Sequence, residues 1–134
     1  MTFFIKTSRE VSTISSDAKD YFNRGVANDS SGRFNEAISD YSKALEIDPG
    51  FAAAYNNRGI AYELIGQYDR AIYDYSKFID LNPTDAVAYS NRGIAYFFNK
   101  DFDNAWKDIK KAQALGCKIH PEFLKILREA LGRK

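Results

Sequence analysis

The feature that most constrains the fold is a pattern that recurs every 34 residues. A glycine occurs at Gly25, Gly59 and Gly93, with a tyrosine four places before it and an arginine directly before it. Nine of the eleven residues from Ala52 to Tyr62 are identical to those from Ala86 to Tyr96. A fixed period of this length is typical of a repeat protein, in which each unit packs only on its neighbours.

Within each period, apolar residues follow the three- and four-residue spacing of amphipathic helices. The second helix of the first copy shows this spacing from Phe34 to Glu46, and Pro49 ends it because proline cannot continue a helix. Turn-forming residues separate the two helices of each copy. Helices are expected at about 17–29, 34–46, 52–65, 68–81, 86–98, 102–114 and 121–131.

The order of an aromatic residue, glycine, tyrosine, alanine, a second aromatic and proline resembles the signature of the tetratricopeptide repeat (TPR) family. The resemblance covers residues 18 to about 119. It implies an all-α fold, a right-handed α-solenoid of three helix-turn-helix repeats plus a capping helix, with seven helices. The single TPR domain is expected at 17–131, with repeats 18–51, 52–85 and 86–119 and a capping helix 121–131. Residues 1–16 and 132–134 are expected to be flexible tails.

Three sets of repeated residues are expected to be structural. A glycine inside a helix costs about 0.5–1 kcal/mol relative to alanine, so glycines kept in register imply close packing of the partner helix. An arginine of each first helix precedes an aspartate of the second by sixteen residues, which predicts an ion pair that fixes each hairpin. The alternative is a ladder of ligand-binding arginines. The residues expected to be structural are Gly25, Gly59, Gly93, Ala37, Ala71 and Ala105, and the pairs Arg24–Asp40, Arg58–Asp74 and Arg92–Asp108.

The side of each first helix that points away from its partner helix is unusually apolar. The TPR resemblance implies that this side lines a concave groove that holds peptides. An amide side chain donates and accepts hydrogen bonds at once, so a row of asparagines would hold a peptide backbone of any sequence. The expected groove residues are Phe22, Asn23, Val26, Asn56, Asn57, Ile60, Val87, Ser90, Asn91, Ile94, Phe97 and Phe98.

Structural roles compete with binding for several of these residues. Ile60 and Ile94 are interpreted first as packing between neighbouring repeats. Asn23, Asn57 and Asn91 have the alternative role of hydrogen-bonding adjacent helices. The three phenylalanines favour binding, because exposed apolar patches rimmed by polar groups often mark binding sites.

The resemblance also allows a specific ligand to be tested. Chaperone-adaptor members of the family grip a C-terminal carboxylate with lysines, asparagines and an arginine. The matching places here carry Phe22, Val26, Asn57, Val87 and Asn91. Without cationic groups a buried carboxylate would lack a partner for its charge. We therefore expect no chaperone carboxylate-clamp ligand.

Composition argues against several other functions. The formal net charge of +1 gives no strong field for nucleic acid or an anionic membrane. No apolar run is long enough to span a bilayer and no signal peptide is recognised, which favours a cytoplasmic protein. A single cysteine, Cys117, and a single histidine, His120, make neither a zinc site nor a catalytic dyad. We expect no enzyme activity, no metal and no cofactor.

Two functions are therefore predicted from the sequence. The first is a protein- or peptide-binding adaptor that holds an extended, partly apolar segment in the groove. The alternative is a self-assembling scaffold, in which the Phe3-Phe4-Ile5 segment docks in a groove of its own or a neighbouring molecule. That alternative implies a weak homo-oligomer.

Overall fold

The computed structural model describes residues 2–132, with side chains from Ser16 onwards. Over this range the chain forms seven α-helices and no strand, as the sequence predicts. The helices are α1 (Thr2–Ser30), α2 (Phe34–Ile47), α3 (Ala52–Leu64), α4 (Tyr68–Leu81), α5 (Ala86–Phe98), α6 (Phe102–Ala114) and α7 (Pro121–Ala130). None of these seven has both the length and the apolar character needed to cross a bilayer.

The helices form three antiparallel hairpins stacked in one row. Helix α1 packs on α2, α3 on α4 and α5 on α6, while consecutive hairpins meet through α2 with α3 and α4 with α5. Helix α7 closes the row, and its fully buried Leu127 packs with Ala105 and Ile109 of α6. A repeat array needs such a closing element, because its last repeat has no neighbour to cover its apolar flank.

The starts of the later helices are fixed by caps. The Asp85 carboxylate accepts a hydrogen bond from the Ala88 N–H at 3.1 Å at the start of α5. Asp101 has the same role at the start of α6. Pro121 occupies the first turn of α7, where a missing N–H costs nothing, and His120 Nδ1 accepts from the Glu122 N–H at 3.2 Å. His120 is therefore a helix cap.

The turns inside the hairpins need a left-handed backbone. Gly32 and Gly66 have φ values of 75° and 78°, and the equivalent place in the third hairpin is Lys100, with φ 63°. Glycine adopts this conformation without a steric cost, whereas lysine does not. Gly116 has φ 100°, which confirms the left-handed end predicted for α6.

The start of α1 differs from the sequence expectation. Helix α1 begins at Thr2 rather than at Ser16 or Asp17. Residues 2–24 contain neither glycine nor proline, so no residue in the segment opposes a helix. The flexibility predicted for 1–16 stays a prediction, and the side chains of Phe3-Phe4-Ile5 lie outside the described residues.

In each hairpin a glycine of the first helix faces a bulky side chain of the second helix, and the two helices approach closely there. A Cβ atom built on Gly59 would lie 2.8 Å from Cε1 of Tyr75, and one on Gly93 would lie 3.0 Å from Cδ1 of Ile109. The same relationship joins Gly25 to Tyr41. The close approach expected of the three glycines is present, and Ala37, Ala71 and Ala105 are fully buried.

Candidate functional site

The arginine and aspartate expected to pair do so in all three hairpins. The Nε and one terminal nitrogen of each arginine donate to the aspartate of the second helix. In Arg58 and Arg92 the two nitrogens reach different carboxylate oxygens, which is the strong two-point geometry of a guanidinium and a carboxylate. Both nitrogens of Arg24 donate to Asp40 Oδ1, and Asn28 donates to Oδ2. The nitrogen–oxygen distances are 2.9 and 2.6 Å for Arg24–Asp40, 2.8 and 2.7 Å for Arg58–Asp74, and 2.7 and 2.8 Å for Arg92–Asp108.

Two of these arginines also bind the preceding hairpin. Arg58 Nη1 donates to Ser42 Oγ at 3.0 Å, and Arg92 Nη1 donates to Ser76 Oγ at 3.1 Å. Sequence reasoning missed these serines, although they recur at the 34-residue period. Each arginine thus joins its own hairpin to the one before it.

Burial separates the inner pairs from the first. The Arg58 and Arg92 side chains are 15% and 20% exposed, whereas Arg24, which has no preceding hairpin, is 59% exposed. The hydrogen bond to Asp108, with the attraction of that carboxylate, raises the pKa of Arg92. Because three nitrogens of Arg58 and of Arg92 are used internally, the structure gives no support to a ladder of ligand-binding arginines.

The first helices carry the main exposed apolar surface. Among the described residues eight large apolar side chains are exposed, and five of them lie on the first helices α1, α3 and α5. This apolar face consists of Val26 (39% exposed), Ile60 (37%), Leu64 (60%), Val87 (59%) and Phe98 (52%). The concentration on one side shows that the face is a shared feature of the three hairpins.

Two of the three groove phenylalanines pack partly on the protein's own aromatic rings. Phe22 and Phe97 are half-buried. The Phe22 ring lies 4.8 Å from that of Phe51, and the Phe97 ring lies 5.2 Å from that of Phe123 on α7. They offer less free ring surface than the sequence suggests. Phe98 remains exposed, with Tyr68 stacked on one side at 5.6 Å.

The polar groove residues divide between structure and surface. Asn57 lies near the Tyr41 hydroxyl of the preceding hairpin and opposes the rise in the Tyr41 pKa that is caused by burial. This placement favours the structural role for Asn57 over peptide contact. Of the other residues expected in the groove, Asn23 is exposed. Four are half-buried: Asn56, Ser90, Asn91 and Ile94.

An acidic row borders the apolar face and was missed from the sequence. Asp29 and Glu63 occupy the same place in successive repeats, four residues after the hairpin glycine, and Phe97 occupies that place in the third. The hydroxyl of Tyr41 donates to Asp29. In the second repeat Glu63 Oε1 and the Tyr75 hydroxyl are both buried without a hydrogen-bond partner in the described part of the chain. Burial raises the pKa of Glu63.

Cys117 and His120 lie together on the loop between α6 and α7. The half-buried Cys117 Sγ lies 3.9 Å from the Lys118 carbonyl oxygen, and His120 caps α7. In the described range no three Cys, His, Asp or Glu side chains gather in a metal-binding group. Cys117 and His120 therefore make contacts within the loop and at the start of α7.

Comparison with known families agrees with this architecture. Models described as TPR repeat and tetratricopeptide repeat match residues 30–66, 52–85 and 75–107, and the 52–85 match coincides with the second hairpin. The chain belongs to the tetratricopeptide repeat family. The all-α TPR solenoid expected from the sequence is thereby confirmed.

Solved TPR structures superpose over most of the chain. The first TPR domain of Spaghetti (RPAP3), bound to the HSP90 peptide SRMEEVD, is 28% identical, with a TM-score of 0.77, over 88% of this chain and 93% of that one. The first TPR domain of human RPAP3 is 27% identical, with a TM-score of 0.79, over 88% and 94%. MamA is 30% identical, with a TM-score of 0.72, over 84% and 62%. No curated protein sequence matches this TPR chain.

Proposed function

We propose that this TPR protein is a non-catalytic adaptor whose groove binds an extended, partly apolar peptide segment. The proposal is carried by the apolar face of Val26, Ile60, Leu64, Val87 and Phe98. Burying such side chains on a ligand would gain about 25 cal/mol for each Å² of apolar surface removed from water. Peptide binding by the TPR domain that is 28% identical supports the same use of the fold.

The dimensions of the array fit a short segment. Packed helices lie about 10 Å apart, so three first helices form a groove on the order of 20–30 Å long. At about 3.3 Å for each extended residue, this length accommodates roughly six to eight residues. Asn91, which is half-buried beside the apolar face, is the amide that we assign to the peptide backbone.

The ligand class proposed here excludes the chaperone carboxylate clamp. Four of the five clamp places carry Phe22, Val26, Val87 and Asn91, none of which is cationic, and the fifth carries Asn57, which lies near the Tyr41 hydroxyl. A terminal carboxylate would lose its hydration without gaining a cation. The peptide SRMEEVD should therefore show no saturable binding, and saturable binding at micromolar concentrations would contradict this exclusion.

Selection from a random peptide library tests the proposal directly. Peptides enriched on the wild-type protein should bind Leu64→Ala/Phe98→Ala at least tenfold more weakly, since about 1.4 kcal/mol of lost contact has that effect. Tyr73→Ala is the matched control, because Tyr73 is 58% exposed on the outer helix α4. Equal losses in both variants, with both proteins folded, would contradict the groove assignment.

A further inference from the structure

From Ser16 onwards, the first helices carry an excess of negative charge once their ion pairs are set aside. Arg24, Arg58 and Arg92 are engaged with buried aspartates of the second helices. Among the side chains that the structure describes in α1 (from Ser16 onwards), α3 and α5, the remaining charged groups are four carboxylates and one ammonium group. They are Asp17, Asp20, Asp29, Glu63 and Lys19. Apart from the paired arginines, this described part of the first helices therefore has a net negative charge, to which Asp29 and Glu63 contribute beside the apolar face.

Two of the four carboxylates have oxygen atoms without partners at the edge of the apolar face. Asp29 follows the exposed Val26 by three residues, and Glu63 follows the exposed Ile60 by three, so both acids lie beside apolar side chains on the same helical stripe. Asp29 Oδ1 and Glu63 Oε1 are buried and accept no hydrogen bond from any described group. A half-buried carboxylate in this situation gains by meeting a donor.

The second repeat adds an unpartnered hydroxyl to the same place. Tyr75 is 1% exposed, and its ring crosses α3 at Gly59, one turn before Glu63. In the first repeat the equivalent Tyr41 hydroxyl donates to Asp29. Glutamate is one methylene longer than aspartate, and the Tyr75 hydroxyl and Glu63 Oε1 both remain without a partner. The second repeat thus holds two buried oxygen atoms without a partner beside the half-buried Glu63 carboxylate.

We propose that the acidic row of Asp29 and Glu63 binds lysine or arginine side chains of the peptide, so that the groove selects a segment with basic residues beside apolar ones. The inference rests on the proposed peptide-binding function and specifies its ligand. It reverses the charge preference of a carboxylate clamp, for which this chain lacks the cations. The cations of the closing helix, Lys125 and Arg128, lie beyond this row, and Arg128 stacks on Trp106.

The spacing of the acidic row sets the spacing of the basic residues. Helices in contact lie about 8–10 Å apart, and α1 contacts α3. Three residues of a polyproline II segment cover about 9 Å and return to the same side of the peptide. Basic residues at positions i and i+3 would therefore reach Asp29 and Glu63 together, with apolar residues between them on the exposed face.

Three capped peptides of identical length test this inference. The probe is PLKPLKPL, acetylated and amidated, and the comparisons are the same peptide with both lysines acetylated and the peptide PLEPLEPL. Isothermal titration should show that PLKPLKPL binds about tenfold more tightly than the acetyl-lysine form, a difference expected of one charge-assisted contact. The glutamate form should bind still more weakly. Raising the salt concentration should reduce the difference.

Variants then assign the effect to the acidic row. Glu63→Gln should weaken PLKPLKPL binding by about tenfold and leave binding of the acetyl-lysine form unchanged, which is the signature of a direct pair in a double-mutant cycle. Asp80→Asn, which neutralises an exposed carboxylate on α4, should change neither. Equal affinities for the three peptides, or equal effects of both substitutions, would overturn the inference and leave the proposed function standing. No binding of any peptide at millimolar concentration would overturn both.

Discussion

Arg58 and Asp74 face each other across the second hairpin in a two-point ion pair, with N–O distances of 2.8 and 2.7 Å. The Asp74 side chain is 1% exposed, so its charge is balanced by Arg58 rather than by water. Breaking one side of a buried pair leaves an uncompensated charge and costs about 3–5 kcal/mol. We therefore expect Asp74→Ala to lower the free energy of unfolding by that amount in urea denaturation.

The first hairpin supplies the internal comparison for this pair. Arg24 is 59% exposed, so water replaces the lost partner when Asp40 is removed. Asp40→Ala should therefore destabilise the protein much less than Asp74→Ala. Equal losses in the two variants would show that burial of the arginine does not determine the strength of the pair.

The serines that receive the inner arginines should couple neighbouring hairpins. Ser42→Ala removes the acceptor of Arg58 Nη1 and should lower the free energy of unfolding by about 1–2 kcal/mol, because a partly buried charged donor loses its hydrogen bond. Ser39→Ala, on an exposed site of the same helix, is the control and should be close to neutral. Thermal and urea denaturation measure both. A Ser42→Ala variant as stable as the control would contradict the coupling.

The hairpin glycine should not tolerate a methyl group. Gly59→Ala would place Cβ 2.8 Å from the Tyr75 ring, and overpacking of this kind costs about 1–3 kcal/mol. The better helix propensity of alanine, about 1 kcal/mol, offsets part of the loss. Gly50→Ala is the control, since its Cβ would meet only Asp48 Oδ1 at 3.6 Å. If Gly59→Ala raised the unfolding midpoint, the close approach would not be limiting.

The third hairpin turn offers a stabilising substitution. Lys100 is exposed and has φ 63°, where the first two hairpins have glycine. A left-handed backbone costs about 1–2 kcal/mol for a residue with a Cβ, while glycine loses part of that gain to its greater freedom in the unfolded chain. Lys100→Gly should therefore raise the free energy of unfolding by up to about 1 kcal/mol. Gly66→Ala should have the opposite effect, and a stabilised Gly66→Ala would contradict the argument.

The raised pKa of Glu63 predicts that the stability difference between Glu63→Gln and the wild-type protein depends on pH. Burial lifts the folded-state pKa above the ordinary 4.5, so the folded protein binds this proton more tightly than the unfolded chain. The resulting stabilisation is complete below that ordinary value and is lost as pH rises through the folded pKa. Glutamine cannot lose a proton, so Glu63→Gln should gain stability relative to wild type between pH 4 and pH 7.

Urea denaturation at several pH values measures this relative gain. Glu46→Gln is the control, because Glu46 is an exposed carboxyl on α2. A stability difference between Glu63→Gln and wild type that stays constant across the same pH range would contradict a buried, proton-sensitive Glu63.

Most of the fold could be predicted from the 34-residue period. Helices α4, α5 and α6 have the bounds that spacing and turn residues predict, because local apolar spacing and breakers act within one hairpin. The Arg–Asp pairs were also predictable, since sixteen residues join the same two positions in each copy. The start of α1 at Thr2 was not, because the segment before Ser16 lies outside the period and contains no breaker.

The candidate site was less accessible from the sequence. Helical position identified the exposed Val87 and Phe98, but it does not reveal which neighbours cover a ring, so the packing of Phe97 on Phe123 of α7 was missed. Asp29 and Glu63 lie between the packed and the exposed sides of their helices, where a small rotation decides the environment. Their unpartnered oxygens become visible only when the tyrosines opposite them are placed.

The serine that links each hairpin to the next has a consequence for how such an array can grow. The place of Ser42 and Ser76 is taken by Lys110 in the last repeat. Duplicating residues 86–119 in tandem would bring that ammonium group against the arginine of the added copy, whereas duplicating 52–85 would supply a hydroxyl at the new junction. Adding a copy of the middle repeat is thus compatible with the link between hairpins, whereas adding a copy of the last repeat places two positive charges together.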